Sequence, residues 1–167
     1  MVDISFQGAL LSLECPGLGG GKANLIMDFG DEGTPVEFQN NDVFGFGGNM
    51  NGTLITWSRY RPIEFDVTVL PNSETDKKLR RLWNISHLGG KGGQPIDQGQ
   101  VTITSVVLKV PDITTTSEGA VTAGGASTQS YGPGKMTVGS PGFGANAEGK
   151  MSSRRYHFVM EKQVDNR

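Results

Sequence analysis

The residues that could do chemistry in this chain stand in a few short runs, and each run is tested by its spacing. Glycine-rich PGLGGGKA, Pro16 to Ala23, could bring backbone N–H groups against a phosphate, with Lys22 as the counter-charge. The spacing of a phosphate loop would need its first glycine where Pro16 stands, and a magnesium-holding hydroxyl where Ala23 stands, so the run is read as a turn. GFGGNM, from Gly45, lacks the third glycine of a dinucleotide fingerprint, Met50 occupying that place, and strands rather than a helix follow it. Asp28-Phe29-Gly30 spells a kinase metal motif without the catalytic-loop or strand-lysine signatures that give it meaning. Asp28, Asp31 and Glu32 gather carboxylate oxygens at spacings no calcium loop uses, which leaves a solvated acidic turn.

Histidine and cysteine are scarce. Cys15 is alone, and His87 and His157 are the two histidines, so neither an intrachain disulfide nor a Cys/His zinc cage can be assembled. With no basic residue near it in sequence, Cys15 is read as a buried small apolar side chain. His87 falls at a helix C-terminus, where an imidazolium suits the helix dipole, and His157 alternates outward from the last strand. No Ser, Cys or carboxylate relay accompanies either one in sequence. The chain is not expected to be an enzyme or to carry a metal or cofactor.

The densest charge is Lys77, Lys78, Arg80 and Arg81, a cluster that could hold phosphates if it lay on one exposed surface. The net charge of −2 hides its isolation: residues 1–76 carry −8, residues 77–91 carry +5, and the rest +1. The isoelectric point near 5.7 is acidic, and no aromatic residues interleave with the charges to stack bases. The cluster is read as a solvated or protein-binding face. Ile85 and Leu88, apolar residues on the same side near the helix end, point to a protein partner.

The elements that must position these groups follow from periodicity. The 167 residues include 25 glycines and are 35% hydrophobic, a composition favouring short strands and turns. LSLEC and ANLIMDF read as strands joined by PGLGGGK, and VEFQNNDVFGF as a further strand interrupted around Asn40 and Asn41. TLITWSRY and PIEFDVTVL flank Arg61-Pro62 and read as an antiparallel hairpin or meander. Ile63, Phe65, Val67 and Val69, with Ile55 and Trp57, make its buried side, and Thr56, Glu64, Asp66 and Thr68 its polar side. Ser73 with Asp76 resembles a capping box and starts a helix over about Glu74 to His87, whose Leu79, Leu82 and Trp83 form the docking stripe. QVTITSVVLKV reads as a strand stopping at Pro111, residues 111–150 as a Gly/Ser/Thr-rich loop or insertion with a short strand near KMTV, and RRYHFVMEK as a closing strand. No run approaches the roughly 18 apolar residues of a membrane span, and the N-terminus lacks a basic region before an apolar stretch. A soluble, unexported protein in one domain is expected, with no membrane anchor.

The run DVFGFGGNMNGTLITWSRYRPIEFDVTVLPNSETDKKLRRLW, Asp42 to Trp83, resembles the tail tube proteins of contractile-tailed bacteriophages. It shares an Asp before a Gly-rich turn, an Asn-Gly, two strands around a turn, a Ser-containing cap and a short Leu-bearing helix. The later strands fit the same order of elements more loosely. The resemblance implies a mostly β fold: an antiparallel β-sandwich or barrel with one flanking helix and long β-hairpins that pair between subunits. It also implies hexameric rings of self-associated subunits, stacked into the inner tail tube of the virion, a conduit through which DNA passes without specific binding. Partners would be the tail sheath, baseplate and tail-terminator proteins, and synthesis would occur in the bacterial cytoplasm. On this reading Thr56, Glu64, Asp66 and Thr68 face the lumen, because an acidic or neutral wall does not grip phosphates. Lys77, Lys78, Arg80, Arg81, Ile85 and Leu88 face a neighbouring subunit or the sheath. Two alternatives share these features: a tube subunit of a contractile injection or type VI-like secretion apparatus, and another tail component such as a baseplate or tail-terminator protein.

Overall fold

The computed structural model describes residues 2–3, 9–19, 23–26, 29–30, 34–88, 98–115, 121–139, 142, 144–145 and 147–164. In chain order the elements are β1 (Val2–Asp3), β2 (Leu10–Glu14), α1 (Pro16–Gly19), β3 (Ala23–Ile26), β4 (Val36–Phe38), β5 (Phe44–Gly48), β6 (Leu54–Ser58), β7 (Ile63–Val69) and α2 (Glu74–Leu88). They continue with α3 (Gln98–Val101), β8 (Ser105–Thr115), β9 (Val121–Tyr131), β10 (Gly134–Val138), β11 (Arg154–Met160) and β12 (Gln163–Val164). The protein is mostly β with antiparallel sheets and one longer helix, as its composition implies.

Alternation dictates how the strands stack. In β7 Phe65, Val67 and Val69 turn inward, and in β11 Tyr156, Phe158 and Met160 do the same, all fully buried. These two strands pair in register from Arg154 opposite Val69 to Met160 opposite Ile63, at the centre of a four-stranded sheet ordered β10-β11-β7-β4. The larger sheet, β12-β9-β8-β2-β3 with β1 also on β8, supplies Leu11, Leu13, Val106 and Leu108 to the same core. Tyr131 of β9 joins the layers, its ring centroid 5.2 Å from Phe38 and 6.1 Å from Phe65. The result is a two-layer sandwich, and no closed barrel forms among the described residues. Cys15 lies within this core, where burial raises its thiol pKa.

Helix α2 starts where the cap residues predict. Ser73 Oγ accepts from the Asp76 backbone N–H at 3.2 Å, which is one arm of a capping box. The reciprocal arm lands one residue early: Asp76 Oδ2 accepts from the backbone N–H of Asn72 at 2.9 Å, a residue held at φ 62°, a conformation Asn tolerates better than most side chains. Leu79 and Leu82 enter the core. Trp83 lies against the end of β10, where a Cβ built on Gly139 would stand 2.2 Å from Trp83 Cδ1. His87 stacks on that ring, the centroids 4.7 Å apart.

Three expectations need correction. First, β6 and β7 do not pair with each other: β6 pairs with β5 in a separate two-stranded sheet, while β7 lies between β11 and β4. Arg61-Pro62 is a passage between sheets, so Ile55 and Trp57 are exposed instead of sharing the buried side of β7. Second, strand β8 does not stop at Pro111 but runs to Thr115. The proline sits at a register shift between Pro111 and Ile113, in the gap where β2 pairing ends at Lys109 and β1 pairing begins at Ile113, so its missing N–H disrupts no ladder on that side. Third, the first residues expected in this strand, Gln100 and Val101, are helical, the end of α3. Residues 111–150 include β9 and β10, the latter being the short strand expected near KMTV. Asp28, Asp31, Glu32 and most of the KGGQPIDQG link lie outside the described residues.

Candidate functional site

The hairpin of β5 and β6 is built from a tight turn and two apolar strands. At its tip Asn49 Oδ1 accepts from the backbone N–H groups of Asn51 and Thr53 at 3.1 and 2.8 Å, and Gly52 takes φ +78°, the role of Asn and Gly in such turns. Pairing sets Gly45 opposite Trp57 and Phe46 opposite Thr56. One face therefore carries Phe44, Phe46, Leu54 and Thr56, and the other carries Ile55 with Trp57. The Trp57 ring lies across Gly45, where an added Cβ would come within 2.4 Å of Cε2; only glycine leaves room for it.

Both faces of this hairpin are open. Phe46 is 78% exposed, Leu54 68% and Trp57 48%, and Val43, Phe44, Met50, Ile55 and Tyr60 are exposed too. Residues 43–58 contain no charged side chain. Charge gathers at the base, where Arg59 and Arg61 stand 3.8 and 3.9 Å from Asp42, and Arg59 lies 5.8 Å above the Trp57 ring. The base is tied to the sandwich by Tyr60, whose hydroxyl donates to the Glu161 carbonyl at 2.7 Å, and by Asn41 Nδ2 donating to the Pro62 carbonyl at 3.1 Å. A lone two-stranded hairpin is marginal in water, and among the described residues no third strand pairs with either of its edges.

The outer face of the four-stranded sheet is polar. Arg155 pairs with Glu37 and with Asp66, the second at 2.9 Å. His157 Nδ1 lies 2.7 Å from Asp66 Oδ1, and its Nε2 lies 3.6 Å from Glu64. This ladder borders an open cleft of about 400 Å³ lined by Asp66, Val138, Arg155 and His157. The carboxylates facing His157 were not evident from sequence because residues about ninety apart had to be placed in register. A signal did exist: Arg155 and His157 alternate out of β11 as Glu64 and Asp66 alternate out of β7, which is a complementary cross-strand pattern.

Below the sheet lies a buried polar hub. Asp76 Oδ1 accepts from the Tyr156 hydroxyl at 2.8 Å, and its other oxygen is 3.7 Å from Arg154 Nε, both side chains being 2% exposed. Burial pushes the Tyr156 phenol up to about 12; Arg154 pulls it down, and the Asp76 hydrogen bond and charge push it up again. The hub joins the helix cap to β11 and is structural.

The residues singled out by sequence are therefore dispersed. Thr56 lies on the hairpin, while Glu64 and Asp66 stand in the ladder. Thr68 is 7% exposed, covered by Gly30, where an added Cβ would lie 2.8 Å from its Cγ2. On α2, Lys77 and Arg81 are exposed and Lys78 and Arg80 half-buried; Lys77 is 3.5 Å from Glu74. Ile85 is half-buried and faces α1, its Cδ1 3.8 Å from the Cβ position of Gly17. The Leu88 side chain lies outside the described residues. No group of three His, Cys, Asp or Glu side chains arranged to hold a metal occurs among the described residues, and no helix among them is long and apolar enough to cross a membrane.

Among curated proteins none matches the chain. A family model described as tail fiber protein gp32 matches residues 21–131, well over half the chain and spanning the hairpin, β7, α2 and the β8–β9 pair. The chain belongs to this family of phage tail structural proteins.

Proposed function

We propose that the protein is a tail tube subunit, polymerising as stacked hexameric rings around a channel for the phage genome. The observation that carries this reading is the β5–β6 hairpin, an uncharged two-stranded sheet whose edges pair with no other strand among the described residues and whose apolar side chains are open on both faces. A second copy that covers those faces and pairs those edges removes the hazard, and closure into a ring leaves no edge over. The long β8–β9 hairpin supports the channel: from Val110 to Gly134 the sequence has no Lys or Arg and two acids, Asp112 and Glu118. A wall of that composition lets a polyanion pass, since each basic group would add a phosphate contact. Thr56 and the part-exposed Glu64 remain lumen-facing candidates beside it, and the exposed Lys77 and Arg81 of α2 face the sheath or the next ring.

The family's description as a tail fiber supports a second reading, a tail appendage present in few copies. Quantifying the protein in purified virions separates the two: a tube subunit is among the abundant tail proteins, an appendage is not. A tube subunit of a secretion apparatus is distinguished by its gene neighbours. Negative-stain electron microscopy of the purified protein tests the tube reading, with rings or tubes about a central channel as the expected result.

A further inference from the structure

The hairpin needs an acceptor on the neighbouring copy, and the outer face of the four-stranded sheet offers one with matching chemistry. The cleft there, about 400 Å³, holds Val138, itself 57% exposed, beside the planar groups of Arg155 and His157. Aromatic rings stack on guanidinium and imidazole planes, and the hairpin presents Phe44 and Phe46 on one face. The charges are complementary as well. The hairpin base, with Asp42, Arg59 and Arg61, sums to +1, whereas the cleft rim, with Glu37, Glu64, Asp66 and Arg155 and His157 neutral, sums to −2. Hairpin and cleft are distinct patches, both open in the isolated chain, so contact between them is head-to-tail and generates rings or filaments rather than a closed dimer.

We propose that the β5–β6 hairpin of one copy seats Phe46 in the Val138–Arg155–His157 cleft of the next, with Arg59 and Arg61 against the acidic rim. This rests on the self-assembly reading above but names a surface which that reading does not require. A complementation experiment on the full chain tests it. Phe46→Asp with Leu54→Asp disables the hairpin and leaves the cleft intact; Val138→Asp disables the cleft and leaves the hairpin intact. All three substitutions are at exposed sites, and circular dichroism checks that both variants fold. Each variant alone is expected to sediment as a monomer where the wild type assembles, and an equimolar mixture is expected to give a 1:1 heterodimer, because one productive contact is restored.

Wild-type assembly that survives Val138→Asp overturns the acceptor and leaves the tube reading standing. Two monomeric variants that form no heterodimer on mixing also overturn the head-to-tail pairing. A wild type that is monomeric at every concentration overturns both. If Val138→Asp fails to fold, Val138→Lys with Lys135→Gln, which keeps the net charge, takes its place under the same outcomes.

Discussion

Replacing Asp76 with Asn tests whether the helix cap and the sandwich are one cooperative structure. Asp76 accepts from the Tyr156 hydroxyl at 2.8 Å and the Asn72 amide at 2.9 Å, and faces Arg154 at 3.7 Å with both side chains 2% exposed. Asparagine fills the same volume but offers one acceptor oxygen in place of two, and it removes the negative charge beside a buried guanidinium. Losing one partner of a buried pair costs about 3–5 kcal/mol, a figure that already contains much of the roughly 1.5–3 kcal/mol of a charge-assisted hydrogen bond. The two are not summed, and the expected loss is about 4 kcal/mol. For a chain of this size each kcal/mol lowers Tm by roughly 2–4 °C, so the midpoint should fall by about 8–16 °C. Urea unfolding followed by circular dichroism gives the free energy directly, provided the slope with denaturant is unchanged. A double-mutant cycle with Tyr156→Phe should return a coupling of at least about 1 kcal/mol. A loss below about 1 kcal/mol with unchanged slope would refute the reasoning, since that is the range of solvated surface pairs.

Four other outcomes follow from the same geometry. Tyr156, with its phenol raised from 10.0 to about 12, keeps its proton longer folded than unfolded; its contribution is complete below pH 10 and is lost as pH rises from 10 to 12. About 2–3 kcal/mol is involved, and Tyr156→Phe should flatten alkaline unfolding curves in that window, leaving the slope from Tyr131, which burial also raises. Gly139→Ala drives a methyl into the Trp83 ring and should cost about 1–3 kcal/mol, with a red shift of Trp83 fluorescence in a Trp57→Phe background. Gly45→Ala should expel Trp57 from the hairpin and reduce assembly with little change in Tm, read by sedimentation and thermal melting. Lys77→Glu with Arg81→Glu should change stability by less than about 1 kcal/mol, both being exposed, while impairing ring stacking or sheath attachment in electron micrographs.

Local pattern made much of the fold legible. The alternation in PIEFDVTVL and RRYHFVM identified β7 and β11 and their inward sides, and Ser73 with Asp76 fixed the start of α2, because these signals act within a few residues. Strand partners were not legible. TLITWS reads as a neighbour of PIEFDV across a two-residue turn, yet Arg61-Pro62 carries the chain from one sheet to another, and nothing local records that GFG, with its glycines beneath Trp57, is the true partner. The outward side of β7 likewise reads as open from sequence, although Thr68 is capped by Gly30 from a distant segment and Asp66 is engaged by His157 and Arg155. Pro111 within β8 was misread because a proline's missing N–H matters only if a neighbour needs it, and the gap between β1 and β2 exists only in the folded sheet. The exposed hairpin was hidden for a related reason: an apolar run signals burial, but cannot say whether its own chain or another copy provides the cover.

The cover proposed for the hairpin is another copy of the chain. Negative-stain electron microscopy of the purified wild-type chain, over concentrations matched by analytical ultracentrifugation, tests it most directly. Rings or tubes with an open channel, in equilibrium with free subunits, are expected. A species that remains monomeric up to the highest soluble concentration, with the hairpin still exposed, would contradict it.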